Sequence, residues 1–317
     1  MSPSLRARAL FIQTVQVGLG SQFIEACKRN NVELTVGDCR NYKKVISKNA
    51  NIITWGVKIP TWWYIRQGRN VLFLENGMFC QRTGSWIDAG GWFSESNMVK
   101  NKDYLESYTE QELNQLKEFV KIHFKWELFQ GGDPSGPIMI IIQSLNDATV
   151  KYHFPLNRIV RGDVTTTLLN QLHYLPKDKK LLIRPHPRFK HQWFGREKEY
   201  SRVLTREFEI DKTPNVYDSI KKCSAVVGVN STTLSEVTAL GLPVATLGES
   251  IFTGAKVTLE CARKPELLKN IFDWKPSQDS IIKFLTSILR HHQLRYGCSV
   301  EDILNNKEFK TWVKHLL

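Results

Sequence analysis

The stretch from Ala225 to Gly248 constrains the fold of this chain more than any other segment. An apolar run ends in a hydroxyl-rich turn, NSTT at 230–233, a helical run closes at Gly241, and Pro243 begins a second apolar run. An earlier run, LLIRPHP at 181–187, ends a strand in a similar way. Strand, turn, helix and strand build a parallel α/β sheet, and the helix start offers unpaired N–H groups and a dipole to an anion. We therefore expect a phosphate-bearing ligand, specifically a nucleotide sugar.

Length and composition set the broad class of protein. The chain has 317 residues, more than the usual limit of about 250–300 residues for one core, so we expect two domains. A hydrophobic content of 42% with 24% charged residues is typical of a soluble globular protein. Because no apolar run approaches the roughly 20 residues of a membrane span, and the first apolar segment is short for a signal peptide, we expect a cytoplasmic protein.

The cysteines indicate buried thiols rather than a disulfide framework or a metal site. They are scattered, without a C-x-x-C pair or a histidine at zinc spacing: Cys27, Cys39, Cys80, Cys223, Cys261 and Cys298. The sequence therefore predicts no metal.

Net charge is the second constraint. Lys and Arg total 44 against 31 acidic residues, which gives a net charge of +13 and a pI near 9.4. Such an excess favours polyanionic partners such as nucleic acid, acidic glycans or an anionic membrane surface. The densest basic run lies over residues 184–202, and a solvated basic face is the alternative interpretation.

Alternating strands and helices predict two Rossmann-like halves. In the first half the pattern predicts strands over 9–13, 33–37, 51–55 and 71–75, a helix over 21–29 and a long amphipathic helix over 103–129. The second half predicts strands over 137–143, 180–184, 225–229 and 243–247, with helices over 165–173, 217–222 and 232–240.

The turn-rich segment GGDPSG at 131–136 is the clearest break, so we predict domains over 1–132 and 133–317. Helices predicted over 279–291 and 305–316 would pack back as closing elements. Two α/β domains with a central cleft describe the GT-B architecture, in which acceptor and donor bind to opposite domains.

Four separated motifs carry a family resemblance. They are LENG at 74–77, Gln143 with DAT at 147–149, RPHP at 184–187, and NSTTLSE with LGLPV between 230 and 244. In their order and spacing the chain resembles the retaining β-Kdo transferases of capsule synthesis and related glycosyltransferase-like proteins of bacteriophages. The resemblance implies a nucleotide-sugar donor, a UDP-sugar or a CMP-sugar, bound by the second domain, and no tightly bound cofactor.

The same resemblance implies a donor-binding set. His186 and Pro187 match an element that meets the donor phosphate, and a strand-end imidazole beside a phosphate is readily protonated. Asn230 or Ser231 can alternatively serve only as a helix N-cap, and Asp147 only in an Asx turn. The full predicted set is Gln143, Asp147, Arg184, His186, Pro187, Asn230, Ser231, Thr232, Thr233 and Glu236.

Two carboxylates are candidates for catalysis. Glu75 ends a strand at a predicted sheet edge, and Asp88 lies in GSWIDAGGWF. Sugar transfer needs a carboxylate to deprotonate the acceptor or to attack the anomeric carbon. Where the capsule enzymes are expected to read Glu-Asp-Gly, this chain has Asn76, so their covalent mechanism does not transfer directly. Glu75 could instead pair with Arg82, and Asp88 could organise its glycine turn.

A glycine-rich segment at 78–97 carries aromatic residues that could stack on a base or a sugar, or anchor a lid. The predicted nucleic-acid contacts are Arg66, Arg69, Arg82, Trp86, Trp92, Arg188 and Lys190.

Three functions follow from these observations. The first hypothesis is a phage-type DNA-modification glycosyltransferase that adds a sugar to hydroxymethylated pyrimidines. It is favoured by the net charge of +13, the compact length, the absence of a membrane segment in the sequence pattern and the aromatic segment at 78–97. The second is a β-Kdo transferase of capsule or lipopolysaccharide synthesis that uses CMP-Kdo, where the basic charge would mark a membrane-surface contact. The third is a non-catalytic nucleotide-binding or nucleic-acid-binding module that has lost its acid at Asn76.

Overall fold

A computed structural model of the chain shows two mixed α/β units. It describes residues 7–13, 20–38, 51–55, 68–80, 84–91, 93–143, 150, 153–156, 164–187 and 197–316. The strands are β1 (Ala7–Gln13), β2 (Val32–Asp38), β3 (Asn51–Trp55), β4 (Val71–Asn76), β5 (Gly84–Asp88), β6 (Ile138–Ile141), β7 (Leu181–Arg184), β8 (Phe208–Ile210), β9 (Ala225–Gly228), β10 (Val244–Thr246), β11 (Leu259–Glu260) and β12 (Gln293–Arg295). The helices are α1 (Gly20–Arg29), α2 (Asn97–Lys100), α3 (Glu110–Phe124), α4 (Val164–Gln171), α5 (Glu197–Val203), α6 (Val216–Ile220), α7 (Thr233–Leu240), α8 (Gln278–Ser287), α9 (Val300–Asn305) and α10 (Lys307–Lys314).

Unit 1 comprises Met1–Tyr104 and Ser287–Leu317. Its six-stranded sheet has the order β12-β5-β4-β3-β1-β2, in which β1 to β4 are parallel and β5 runs antiparallel to both β4 and β12. The core of this unit lies between the sheet and helices α1, α9 and α10, where Phe23, Phe309 and Trp312 are fully buried or nearly so. The C-terminal segment is therefore an integral layer of unit 1.

Unit 2 is the continuous segment Leu105–Thr286. Its sheet is entirely parallel with the order β11-β10-β9-β6-β7-β8. Strands β6 and β9 are apolar runs without alternation, and every residue in them is buried. Such runs are expected for strands that are covered by other elements on both faces. Counted from β6 as the first strand, the order is that of a doubly wound nucleotide-binding sheet, which confirms the α/β expectation.

The two units differ from the predicted domains in where the chain passes between them. Residues 105–132 belong to unit 2 rather than to the first domain, and residues 287–317 belong to unit 1 rather than to the second. The segment after α3 packs against the end of α7 in unit 2, where the Phe129 and Gly131 N–H groups donate to the carbonyls of Ala239 and Leu240. The turn-rich segment at 131–136 is thus a connection inside one unit.

Helix α3 is shorter than the predicted 103–129 because its ends are specified locally. Thr109 and Glu112 form a capping box at the N-terminus, and Lys125 adopts a left-handed conformation (φ 58°) that ends the helix after Phe124. Within the described residues, no helix has both the length and the apolar character that a membrane crossing requires.

Candidate functional site

The carboxyl edge of the sheet in unit 2 is the candidate ligand-binding site. In the sheet, β7 is the neighbour of β6 on one side and β9 is its neighbour on the other, so the strand order reverses at β6. Open α/β sheets bind ligands outside the carboxyl ends of the strands at such a reversal of strand order. Gln143 follows β6 and Asn230 follows β9, so the sequence motifs meet at this point.

A pair of side-chain amides closes the edge between β6 and β9. The Gln143 side chain accepts from the Asn230 backbone N–H at 2.8 Å through Oε1 and donates to Asn230 Oδ1 at 2.9 Å through Nε2. Asn230 is 1% exposed, and its own amide also donates to the Glu249 carbonyl at 3.4 Å. These two residues, which the resemblance assigned to donor binding, therefore use much of their polar capacity to hold strand ends together.

Ser231, Thr232 and Thr233 begin helix α7 beside this amide pair. The Ser231 hydroxyl accepts weakly from the Thr233 N–H at 3.4 Å, and Thr232 precedes the helix without a capping side-chain bond. All three residues are partly exposed, whereas residues 234–240 are buried. The Leu234 and Ser235 N–H groups already donate to the carbonyls of Ser231 and Thr232 at 3.0 Å, so this edge offers an anion three partly exposed hydroxyl-bearing residues and the positive end of the helix dipole.

Glu236 lies in the first turn of α7 and is 4% exposed. A negative side chain there interacts favourably with the helix dipole.

Two glycines allow the backbone to approach closely here. A Cβ atom on Gly248 would lie 2.7 Å from Val229 Cγ1 and 2.8 Å from the His153 carbonyl. A Cβ on Gly228 would lie 3.2 Å from Leu234 Cδ1, so the first turn of α7 packs directly on β9. These contacts place the helix start close against the strand ends.

The RPHP motif occupies the carboxyl end of β7, on the other side of β6. Parallel registers pair Ile141 with Arg184 on one side and with Gly228 on the other. Continuing both registers by two residues brings Gln143 level with His186 and with Asn230. Neighbouring strands are about 4.8 Å apart, so the His186 and Asn230 backbones are about 10 Å apart across β6. His186 is partly exposed and Pro187 is exposed.

Arg184 is turned into the protein. Its side chain is 7% exposed and donates to Asp211 Oδ2 at 2.8 Å, to the Thr213 carbonyl and to the Pro214 carbonyl at 3.3 Å. Burial raises the pKa of Asp211, but hydrogen bonds from Thr213 and the guanidinium of Arg184 outweigh it and leave the pKa below its ordinary value. The sequence analysis did not single out Asp211, which lies in no recognisable motif.

The structure thus brings most of the predicted donor set to one sheet edge, in two roles. His186, Ser231, Thr232 and Thr233 lie at the accessible side, whereas Arg184 bonds to the protein itself. Asp147, Arg188 and Lys190 lie outside the described residues.

Asp88, a predicted catalytic residue, is at the centre of a buried hydrogen-bond cluster in unit 1. Its Oδ1 accepts from the N–H groups of Gly90, Gly91 and Asn97 at 2.7, 3.1 and 3.1 Å. Its Oδ2 accepts from the Ser96 hydroxyl at 2.5 Å and lies 3.3 Å from His292 Nδ1. Because Asp88 is 0% exposed, the geometry supports the organisation of the glycine turn rather than contact with an acceptor.

Glu308, on α10, completes this cluster and was not found from the sequence. Its Oε2 accepts from the Ala89 N–H at 2.7 Å and from Asn97 Nδ2 at 2.8 Å. Burial, reinforced by the Asp88 carboxylate, raises the pKa of Glu308. Glu308 and Asp88 are far apart in the sequence and share no motif, and only the fold brings them together.

Asp88, His292 and Glu308 also have metal-ligand chemistry, which the sequence analysis did not predict. Their donor atoms all lie within 4.8 Å of one another. The oxygens of Asp88 already accept several hydrogen bonds, however, and His292 Nδ1 lies 3.2 Å from the Ile87 carbonyl. These contacts make the cluster a polar link between β5 and α10, in which the buried atoms His292 Nε2 and Glu308 Oε1 have no hydrogen-bond partner among the described residues.

Glu75, the other predicted catalytic carboxylate, has a different environment. It lies at the carboxyl end of β4, is partly exposed, and its Oε1 accepts from the Asn76 N–H at 2.8 Å. Asn76 is exposed. Of the two predicted carboxylates, Glu75 is the one that solvent, and hence an acceptor hydroxyl, can reach.

The predicted nucleic-acid contacts receive little support. Trp86 is 0% exposed in β5 and stacks on His292 with ring centroids 4.6 Å apart, so it cannot stack on a base in this fold. Within the glycine-rich segment at 78–97, residues 84–88 form strand β5, and all five of them are buried. Arg69 is partly buried, and Arg66, Arg82 and Trp92 lie outside the described residues.

Comparison with known proteins identifies the family. A family model of capsule polysaccharide biosynthesis proteins matches residues 95–297. The chain belongs to this family. No curated protein matches the chain significantly.

Solved structures give the fold. The β-Kdo 2,7 transferase of Thermosulfurimonas dismutans KpsC matches with a TM-score of 0.62 at 15% identity, covering 98% of both chains. The β-Kdo 2,4 transferase of the same KpsC matches with a TM-score of 0.55 at 14% identity, covering 88% of this chain and 89% of that one. The predicted GT-B fold of two Rossmann-like units is confirmed. Family and fold together support a glycosyltransferase, and they do not support DNA as a partner.

Proposed function

We propose that this capsule-family protein transfers a Kdo residue from CMP-Kdo to a glycan acceptor, with the donor bound at the carboxyl edge of the sheet in unit 2. One observation carries the proposal: the two phosphate-type motifs, RPHP and NSTT, end strands β7 and β9, which flank β6 in one sheet. Family membership and the KpsC folds favour this acceptor class over hydroxymethylated DNA.

The accessible groups at this edge suit a nucleotide phosphate. The Ser231, Thr232 and Thr233 hydroxyls would donate to phosphoryl oxygens from one side, where the positive end of the α7 dipole favours negative charge. A protonated His186 would donate from the other side of β6. Donors placed in advance stabilise the charge that develops on the phosphate as the bond to the anomeric carbon breaks.

The acceptor hydroxyl must lose a proton as the new glycosidic bond forms. We propose Glu75 for this step, because it is the accessible member of the two predicted carboxylates and ends a strand at a carboxyl edge. Asn76, beside it, has an amide that cannot act as a nucleophilic carboxylate. With Glu75 as the only carboxylate, the reaction would be a direct displacement, which inverts the anomeric centre. A product with the anomeric configuration of the donor would require a second nucleophile.

The first test is a direct assay of the purified protein. CMP-Kdo is incubated with a Kdo-terminated glycolipid of the phosphatidylglycerol type, and released CMP and extended glycolipid are measured by chromatography and mass spectrometry. We expect both products in equal amounts. Parallel reactions use UDP-glucose, UDP-GlcNAc and DNA containing 5-hydroxymethylcytosine, and transfer to that DNA alone would replace the proposal with the DNA hypothesis.

Variants then locate the donor site. His186→Asn and Thr232→Val should each weaken CMP binding by about tenfold or more, since a hydrogen bond to a charged group contributes about 1.5–3 kcal/mol. Ser201→Ala is a control, because Ser201 is exposed on α5 and bonds to the Glu197 carbonyl at 2.8 Å. Undiminished CMP binding by both site variants would place the donor elsewhere.

A further inference from the structure

The end of strand β7 is held by a buried ion pair. Arg184 donates to Asp211 Oδ2 at 2.8 Å, and the two side chains are 7% and 3% exposed. The remaining guanidinium bonds in this group go to the carbonyls of Thr213 and Pro214. A guanidinium whose N–H groups are directed into its own protein in this way is not oriented toward a phosphate outside the sheet edge.

We propose that Arg184 and Asp211 are positioning residues, which set the location of His186 rather than touch the donor. His186 lies two residues beyond Arg184 and is partly exposed. This inference rests on the proposed donor site, and it assigns a role to Asp211, a residue without a motif. It also changes the role of Arg184 from a residue that contacts the donor to one that positions His186, which would contact the donor.

Both members of the pair are anchored independently. The Asp211 N–H donates to the Ile183 carbonyl at 2.8 Å, and Asp211 Oδ1 accepts from the Thr213 N–H at 2.9 Å. On the other side of β7, the Arg184 carbonyl accepts from the Ile142 N–H at 2.9 Å. Arg184, two residues before His186, is therefore held on both sides, by the segment that follows β6 and by the segment after β8.

The charge and shape of the pair explain why both partners are needed. An arginine fork can bind a carboxylate and two carbonyls together, which a lysine ammonium cannot reproduce in the same geometry. Removing either partner leaves an uncompensated buried charge, whereas replacing both by apolar residues of similar volume often preserves stability. The double replacement therefore separates positioning from stability.

The test is a cycle of Arg184→Met, Asp211→Leu and the double variant, with CMP as the binding probe in calorimetry and the melting temperature recorded for each. If the pair positions His186, the double variant melts near the wild type but binds CMP about tenfold or more weakly. A double variant that regains both stability and CMP binding would reduce the pair to a structural role. Loss of binding in Arg184→Met with normal binding in Asp211→Leu would show that Arg184 contacts the phosphate directly.

A second readout does not depend on the proposed function. The His186 side-chain resonances, assigned with His186→Gln, are followed by NMR through a pH titration of the ligand-free protein. Their shifts and apparent pKa should change in the double variant, and unchanged values would overturn the inference. If wild-type protein binds neither CMP nor CMP-Kdo, the proposed donor site fails, yet this titration still decides whether the pair positions His186.

Arg206→Met is the matched control. Arg206 also bonds to backbone carbonyls, those of Leu175 at 3.2 Å and Pro176 at 2.6 Å among them. It precedes β8 and so lies toward the amino edge of the parallel sheet, opposite the strand ends that carry His186. Its loss should change neither the affinity for CMP nor the His186 titration.

Discussion

Replacing Asp88 should destabilise unit 1 rather than remove a chemical step. In Asp88→Ala, three backbone N–H groups and the Ser96 hydroxyl lose their acceptor in a site with no exposure. A buried donor without a partner costs about 1–3 kcal/mol, so four donors at the lower value cost about 4 kcal/mol. Because domains are stable by only about 5–15 kcal/mol, we expect the melting temperature of this unit to fall by about 10–20 °C.

The assay pairs this variant with Glu75→Gln. Near-ultraviolet circular dichroism follows thermal unfolding, and CMP release is measured at a temperature where each variant is folded. Glu75 is partly exposed, and Gln has nearly the same size and keeps an oxygen that can accept from the Asn76 N–H, so Glu75→Gln should melt like the wild type and lose transfer activity. An Asp88→Ala protein with wild-type melting but no transfer would refute the structural role and return Asp88 to the chemistry.

Three further predictions concern titratable groups. Folding lowers the pKa of Asp211, so the stability that this carboxylate contributes is present above about pH 4 and is lost as the pH falls through the folded-state pKa. In Asp211→Asn, the free energy of unfolding measured with urea should therefore fall less steeply on the acid side of its pH profile. The pKa of Glu308 is raised, so its stabilising effect is complete below about pH 4.3 and is lost as the pH rises through the folded-state pKa. In the same assay, Glu308→Gln should therefore become more stable relative to the wild type as the pH rises from about 5 to 8. Profiles of the two proteins that run parallel would contradict this. Burial raises the pKa of Cys223 and Cys261 to about 12, so both thiols should react with a disulfide reagent at pH 8 only after unfolding, as followed by mass spectrometry.

The sequence predicted four of the six described strands of unit 2 (β6, β7, β9 and β10), because these four are continuous apolar runs bounded by turn residues, and it missed the short strands β8 and β11. The run before Asn230 became β9, and the run before Arg184 became β7, each within about one residue of the prediction. The glycine after the helix, Gly241, has φ of 81°, as expected for a C-terminal cap. Strong local signals of this kind need no tertiary information.

The sequence could not reveal contacts that only the fold creates. Strand β5 carries Trp86 among glycines and was interpreted as an aromatic loop, because burial by β12 and α10 comes from residues more than 200 positions later. Glu308 and Asp211 lie in ordinary polar surroundings along the chain, and neither has a recognisable motif. Their roles depend on Asp88 and Arg184 being beside them in space.

The discontinuity of unit 1 has a consequence for synthesis of the protein. Unit 2 is one uninterrupted segment, so the ribosome completes it while the last strand and two helices of unit 1 are still unmade. Until Gln293–Arg295 arrives, β5 is an open edge, and until α10 arrives, Asp88 and Ala89 lack Glu308 beside them. The N-terminal part of unit 1 therefore remains incompletely buried until residues 287–317 have been synthesised. Nascent chains are most exposed to aggregation and chaperone binding in that interval.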